Sequence, residues 1–155
     1  MTKSAETAHD LVVFGATSFV GQILTRYLLE TYGVGKSVKW AIAGRSESKL
    51  NALKSELGDN GKDLPVILAD ASDEAALKSM CEQPRVIIST VGPYALYGEP
   101  LVQACVRSGT DYCDLTGEVQ WIGKMVQRYE EEAKASGARI VHCCGFDSIP
   151  SDMGV

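Results

Sequence analysis

Six short apolar runs, most of them followed by a segment of helical period, constrain this chain more than any other feature. The runs are Leu11-Val12-Val13-Phe14, Val38 to Ala43, Pro65 to Ala69, Val86 to Thr90, Asp111 to Leu115, and Ala138 to Cys143. Most do not alternate apolar with polar residues, which is the pattern of strands covered on both faces. Between them, Val20, Ile23, Leu24, Tyr27 and Leu28 recur at spacings of 3, 1, 3 and 1 and predict one apolar helical stripe. Val119, Ile122, Met125, Val126, Tyr129 and Ala133 predict the same for the last long helix. Ser46 and Ser72 suit helix N-caps, and Pro100 suits a first helical position. Gly109 and Gly137 fall where left-handed C-terminal caps are common. Strand and helix alternating in this way imply an α/β fold. It is a doubly wound parallel sheet of about six strands between two helical layers, the three-layer Rossmann arrangement.

At 155 residues the chain fits one domain, and residues 1–155 read as a single dinucleotide-binding unit without repeats or linkers. The formal charge of −5 and the lack of any basic run exclude a nucleic-acid footprint, which needs clustered Lys and Arg against phosphate. The segment Met1 to Asp10 is polar and carries no apolar signal core. No stretch reaches the ~20 consecutive apolar residues of a transmembrane helix. The five cysteines, Cys81, Cys105, Cys113, Cys143 and Cys144, include no C-x-x-C pair, and the two histidines are His9 and His142. No metal-ligand spacing follows. An odd number of cysteines, several in apolar segments, points to free thiols in a reducing, cytoplasmic compartment.

The chemistry begins at Gly15-Ala16-Thr17-Ser18-Phe19-Val20-Gly21, between the first strand and the first helix. A phosphate requires a tight turn there, exposed backbone N–H groups and the positive end of a helix dipole. Gly15 supplies the turn, and Gly21 lets the helix pack closely on the sheet. Ser18 stands where a middle glycine is frequent, and its hydroxyl offers a donor. Glycines at such a junction also serve purely structural ends, so the loop gains its weight from following a first strand.

The second strand ends in Ala43-Gly44-Arg45-Ser46. A domain that prefers NAD carries Asp or Glu ~20 residues beyond the glycines to hold the ribose 2′-hydroxyl. No acid stands at this strand tip, whereas Arg45 can pair with a 2′-phosphate and Ser46 can add a hydrogen bond. NADP(H) is therefore the expected cofactor and NAD the disfavoured one. Asp70, after the third strand, can accept from an adenine amino group or serve as a cap. The fourth strand ends in Ser89-Thr90-Val91-Gly92-Pro93-Tyr94, beside the first strand at the switch point where ligands bind in such sheets. Tyr94 can act as a proton donor there but reads better as a packing residue. Asp114 to Glu118 and Gly145 to Asp152 follow the fifth and sixth strands; they suit helix caps or the rim of a substrate cleft, and no catalytic residue is assigned among them. His142, Cys143 and Cys144 read as a buried strand end rather than a base with its nucleophile.

Together these segments resemble the saccharopine dehydrogenase-like oxidoreductases, a family that includes the mycobacterial trans-acting enoyl reductases. The resemblance rests on Val13-Phe14-Gly15-Ala16-Thr17, Ala43-Gly44-Arg45-Ser46, Thr90-Val91-Gly92-Pro93-Tyr94, Tyr97-Gly98-Glu99-Pro100, Gly117-Glu118 and Gly145-Phe146-Asp147-Ser148-Ile149-Pro150-Ser151-Asp152. It spans nearly the whole chain. It implies an NADP-dependent oxidoreductase of two parts, this Rossmann domain and a larger substrate and dimerisation region after it. By that resemblance Gly15 to Gly21, Arg45 and the Gly92-Pro93 loop line NADP(H). Motifs and resemblance together give a cofactor-binding set of Gly15, Thr17, Ser18, Phe19, Val20, Gly21, Arg45, Ser46, Asp70, Val91, Gly92 and Pro93. The implied substrate is a small molecule or a lipid: saccharopine dehydrogenases oxidise a carbon bearing an amine, and the enoyl reductases reduce a carbon–carbon double bond of a lipid intermediate.

Asp152-Met153-Gly154-Val155 reads as the start of a helix, so the sequence is expected to be one part of a longer, homodimeric protein and inactive by itself. Two rival readings are a non-enzymatic NADP-sensing module and a methyltransferase. The latter needs an acid at the end of the second strand, where this chain has Gly44 and Arg45.

Overall fold

All five residues of Trp40–Gly44 are buried, as a strand requires when helices cover both of its faces. In the computed structural model, which describes residues 7–154, they form β2 of a six-stranded parallel sheet. Residues 1–6 of the polar N-terminal segment, and Val155, lie outside the described residues. The other strands are β1 (His9–Phe14), β3 (Val66–Leu68), β4 (Pro84–Ser89), β5 (Asp111–Asp114) and β6 (Ile140–Val141). Their order is β3-β2-β1-β4-β5-β6, and every neighbouring pair is parallel. All six expected runs are strands, although the last shrinks to two residues at the sheet edge.

The helices are α1 (Phe19–Tyr32), α2 (Glu47–Glu56), α3 (Glu74–Cys81), α4 (Tyr94–Tyr97), α5 (Glu99–Ser108), α6 (Val119–Ser136) and α7 (Ile149–Met153). Right-handed crossovers that reverse direction at β1 send the first helices to one face and the later ones to the other. Val13, Trp40 and Ile42 accordingly pack with Leu28 of α1 and with Leu50 and Leu53 of α2. Val12, Ile87 and Tyr112 pack with Leu77 of α3, Leu101 of α5 and Met125 of α6. This is the doubly wound α/β/α Rossmann fold.

Local signals held at most helix ends. Ser46 caps α2 through Lys49 N–H at 3.4 Å, Pro100 sits in the first turn of α5, and Gly109 and Gly137 take left-handed φ of 65° and 81°. Ser72 does not cap α3. Asp73 does so, accepting from Ala76 N–H at 3.0 Å, while Ser72 turns back to Asp70. The helix expected from Asp152 onward already begins at Ile149.

The stripe expected on α1 is largely turned outward. Val20, Ile23 and Tyr27 are 39%, 53% and 56% exposed, whereas Gly21, Thr25 and Leu28 are buried. The helix approaches the sheet on its small residues, and the buried Thr25 hydroxyl donates to the Gly21 carbonyl at 2.7 Å. On α6, Met125 and Tyr129 are buried as expected and Trp121 joins them, but Val119 and Val126 face outward.

Candidate functional site

β1 and β4 are neighbours where the strand order reverses, so the loops leaving their carboxyl ends diverge and open a crevice. The crevice holds about 430 Å³, and Gly15, Thr17, Ser18, Arg45, Asp70, Val91 and Gly92 all line it. Thr90 and Tyr97 complete its wall. Of the remaining expected residues, Phe19, Val20 and Gly21 form the first turn of α1, Ser46 caps α2, and Pro93 precedes α4.

Two glycines make the phosphate-type loop possible. Gly15 has φ +85°, and a Cβ there would lie 2.7 Å from both Thr90 Oγ1 and Val91 Cγ2. A Cβ on Gly21 would strike the Gly15 carbonyl and come within 2.8 Å of Ala16 Cα. The helix start is thereby pressed against the loop that precedes it.

Ser18 is the N-cap of α1, its Oγ accepting from Gly21 N–H at 3.0 Å. The same oxygen lies 3.0 Å from Thr90 Oγ1. Thr90 Oγ1 lies 3.1 Å from the Phe14 carbonyl and 2.9 Å from the Gly15 carbonyl. Carbonyls only accept, so the Thr90 proton goes to one of them and the Ser18 proton goes to Thr90. The loop therefore presents its backbone, not the Ser18 hydroxyl, to the crevice. Among the described residues, the N–H groups of Thr17, Phe19 and Val20 donate to no protein acceptor. Three free donors at the positive end of a fourteen-residue helix are the arrangement that suits an anion.

On the other side of the crevice, Arg45 follows Gly44 at the tip of β2. It is exposed, and no carboxylate among the described residues lies within ion-pair distance of it. Asp70 stands nearby. The Ser72 hydroxyl and N–H donate to its Oδ1 at 2.6 and 2.9 Å. These two bonds, with a smaller contribution from Arg45, hold its carboxyl below the usual carboxylate range. Its Oδ2 remains open as an acceptor.

The loop after β4 turns through a cis Gly92–Pro93 peptide and sends Tyr94 into the interior. The Tyr94 hydroxyl donates to the Ser89 carbonyl at 2.9 Å, and its ring lies 5.5 Å from that of Trp121. Burial pushes this phenol up to about 12, so it packs as a neutral group. Glu118 holds the turn from the far side: its carboxylate accepts from Tyr94 N–H at 2.7 Å and Ala95 N–H at 2.9 Å. Nothing in the sequence pairs residues so far apart. Asp114 acts in the same way at the next strand ends. Its fully buried carboxylate accepts from Thr116 N–H and Cys143 N–H, both at 3.1 Å, and from the Tyr112 hydroxyl at 2.8 Å. His142 Nδ1 lies 2.7 Å away, with the imidazole edge-on to Tyr112 and Trp121. Asp114 and His142 thus fasten the ends of β5 and β6. The buried strand end expected over His142, Cys143 and Cys144 is not found: β6 stops at Val141 on the sheet edge, Cys143 turns away with φ 62°, and Cys144 is exposed.

Residues 11–141 match the family described as the saccharopine dehydrogenase NADP binding domain. The chain belongs to that family. Trans-acting enoyl reductases of Mycobacterium tuberculosis and Mycobacterium bovis are 45% identical to it over 151 residues, covering 97% of this chain and 35% of theirs. That of Mycobacterium ulcerans is 44% identical over 152 residues, 98% of this chain and 36% of its own. This member of the saccharopine dehydrogenase NADP-binding family therefore spans about a third of the length of these curated relatives. Among solved structures, the apo saccharopine dehydrogenase (L-Glu forming) of Saccharomyces cerevisiae aligns with a TM-score of 0.70 and 21% identity, over 90% of this chain and 28% of its own. An NADPH-dependent quinone oxidoreductase of Escherichia coli, complexed with NADPH, aligns with a TM-score of 0.59 and 20% identity, over 85% of this chain and 47% of its own. These likenesses extend the fold assignment. NADP is the nucleotide named for the family, and the crevice fits it: free amides for a pyrophosphate on one side, an unpaired guanidinium on the other. No helix among the described residues is long and apolar enough to cross a membrane.

Proposed function

We propose that this chain is the cofactor-binding part of an NADP(H)-dependent oxidoreductase that reduces the carbon–carbon double bond of an enoyl group carried on a lipid intermediate. The choice of substrate class rests on identity: 45% to trans-acting enoyl reductases against 21% to a saccharopine dehydrogenase. The observation that carries the nucleotide reading is that Arg45, without an ion-pair partner among the described residues, lines one crevice with Gly15, Thr17 and Ser18, the loop that opens α1.

In this reading, the N–H groups of Thr17, Phe19 and Val20 hold the pyrophosphate, and Gly15 and Gly21 let it approach the backbone. Ser18 fixes the loop. Arg45 pairs with the 2′-phosphate, assisted by Ser46, and a carboxylate at that tip would instead repel it. Asp70 accepts from the adenine amino group through its open Oδ2. Val91, Gly92 and Pro93 border the nicotinamide half, positioned by Glu118. When bound, NADPH supplies the hydride; these residues orient it and exclude water from one face of the crevice. A substrate and dimerisation region accompanies this domain in the same reading, supported by the greater length of the relatives, and the odd cysteine count supports a cytoplasmic setting.

The test is calorimetric titration with NADPH and, separately, NADH. NADPH is expected to bind at least tenfold tighter. Equal affinities would remove the role of Arg45, and binding of neither nucleotide would remove the reading itself. Steady-state NADPH oxidation by the full-length protein with an enoyl thioester then separates an enzyme from a module that only senses NADP.

A further inference from the structure

His142 is a buried side chain matched to a partner on one edge only. The Asp114 carboxylate behind it has four acceptor positions. Thr116 N–H, Cys143 N–H, the Tyr112 hydroxyl and His142 Nδ1 occupy them all. A carboxylate accepts, so the imidazole proton stands on Nδ1 and Nε2 is left as an acceptor. The His142 side chain is 8% exposed, and among the described residues Nε2 bonds to no protein atom. It is not sealed either: Trp121 Nε1 is the one buried side-chain nitrogen or oxygen among those residues that lacks a partner.

The space that His142 lines is a cavity of about 340 Å³ between α5, α6 and β6. Val102, Met125, Ala133 and Ile140 wall it with hydrocarbon. Tyr129 also lines it, but its hydroxyl is committed elsewhere, donating to Glu99 at 2.9 Å and accepting from Gln103 at 3.3 Å. At the rim, Glu130 and Lys134 pair with each other at 3.0 Å, which leaves no call for an ionic ligand. No group of three metal-ligating side chains occurs among the described residues, so a hydrogen-bond donor is the fitting partner of Nε2. Sites for small molecules are apolar cavities of ~300–1,000 Å³ with a few placed polar groups. This cavity has that form, with one acceptor at its end.

We propose that it is a second ligand site, which takes a small neutral alcohol or phenol. The ligand's hydroxyl donates to His142 Nε2, and its hydrocarbon part fills the space between Val102, Met125, Ala133 and Ile140. Asp114 acts as the positioning residue: it fixes the ring and the tautomer that present the acceptor. The cavity shares no residue with the nucleotide crevice, and the inference is independent of the substrate reading.

The test is calorimetric titration of the full-length protein with p-cresol and with p-xylene, which has the same shape but a methyl group in place of the hydroxyl. His142→Phe is expected to weaken p-cresol binding at least about fivefold and to leave p-xylene within about twofold. Ala133→Leu fills the cavity and leaves the Asp114–His142 pair untouched. It should weaken both compounds at least about fivefold, so the test stands even where His142→Phe does not fold. The ring nitrogen resonances of His142 report the contact directly: Nε2 should move with p-cresol and stay in place with p-xylene. Binding of neither compound overturns the proposal, because the cavity then holds water or another part of the chain. A p-cresol affinity that survives both substitutions, or an Nε2 resonance that p-cresol does not move, overturns it as well.

Discussion

The hydroxyls of Ser18 and Thr90 lie 3.0 Å apart, and this contact fastens the loop after β1 to the end of β4 in the wall of the crevice. Thr90→Val removes the acceptor of the Ser18 proton and the donor to the Gly15 or Phe14 carbonyl. The expected cost is about 1–2 kcal/mol of stability, read as a fall in Tm, with NADPH affinity weakened roughly threefold to tenfold. Ser18→Ala loses the same contact and the N-cap of α1 as well, so it should cost more. The double variant should cost less than the sum of the two. Additive losses would mean that the two hydroxyls do not act as a unit.

Gly21 is a second point of close contact. Its Cα is pressed so near Gly15 and Ala16 that a methyl group overlaps backbone atoms, which cannot rotate away as a side chain does. Gly21→Ala is therefore expected to destabilise the domain by about 1–3 kcal/mol. It should also displace the amides of Thr17, Phe19 and Val20, with at least a tenfold loss of NADPH affinity by calorimetry. A variant that melts earlier yet binds NADPH normally would show that the anion site does not depend on this approach.

The strands and their order of helices were legible because buried parallel strands leave continuous apolar runs, and no other common element does so at this length. The α1 stripe was misread for a physical reason. Periodicity reveals which residues form an apolar face but not whether that face meets this sheet, and on α1 the close approach is made by Gly21 and Thr25. Ser72 lost the cap of α3 to Asp73 because two adjacent residues can both cap, and only the backbone geometry chooses. Gly15, Arg45 and Asp70 could be placed in one crevice because each follows a strand at the same sheet edge. Glu118 could not, since its partners Tyr94 and Ala95 come near only after α5 and β5 have folded between them.

In the proposed reading, Arg45 carries the choice between the two nicotinamide nucleotides. A hydrogen-bonded ion pair with a phosphate is worth about 1.5–3 kcal/mol, so Arg45→Ala should weaken NADPH binding roughly 10- to 150-fold. The Kd for NADH should stay within about twofold, because that nucleotide has no 2′-phosphate. Arg45→Lys keeps the charge but not the planar fork and should restore only part of the preference. An equal loss for both nucleotides would assign Arg45 to the pyrophosphate instead.

Asp111 gives the acid stability of the sheet edge a defined direction. Burial opposes its ionisation, but the Arg139 side chain and N–H bond the carboxylate, the N–H at 2.9 Å and Nε at 3.0 Å, and together hold it below the ordinary range. As pH falls, the unfolded chain takes up this proton first, near ~3.9, and the folded chain only later. Stability from Asp111 is thus fully present above ~3.9 and is lost as pH falls through the lower, folded value. Asp111→Asn should lower Tm by a constant amount between pH 6 and pH 8, about 1–3 °C for a pair whose Arg139 partner is exposed. Below pH ~4 the two melting curves should converge. A gap that stays undiminished into strong acid would show that the side-chain shape, not the ionised carboxylate, is what Arg139 holds.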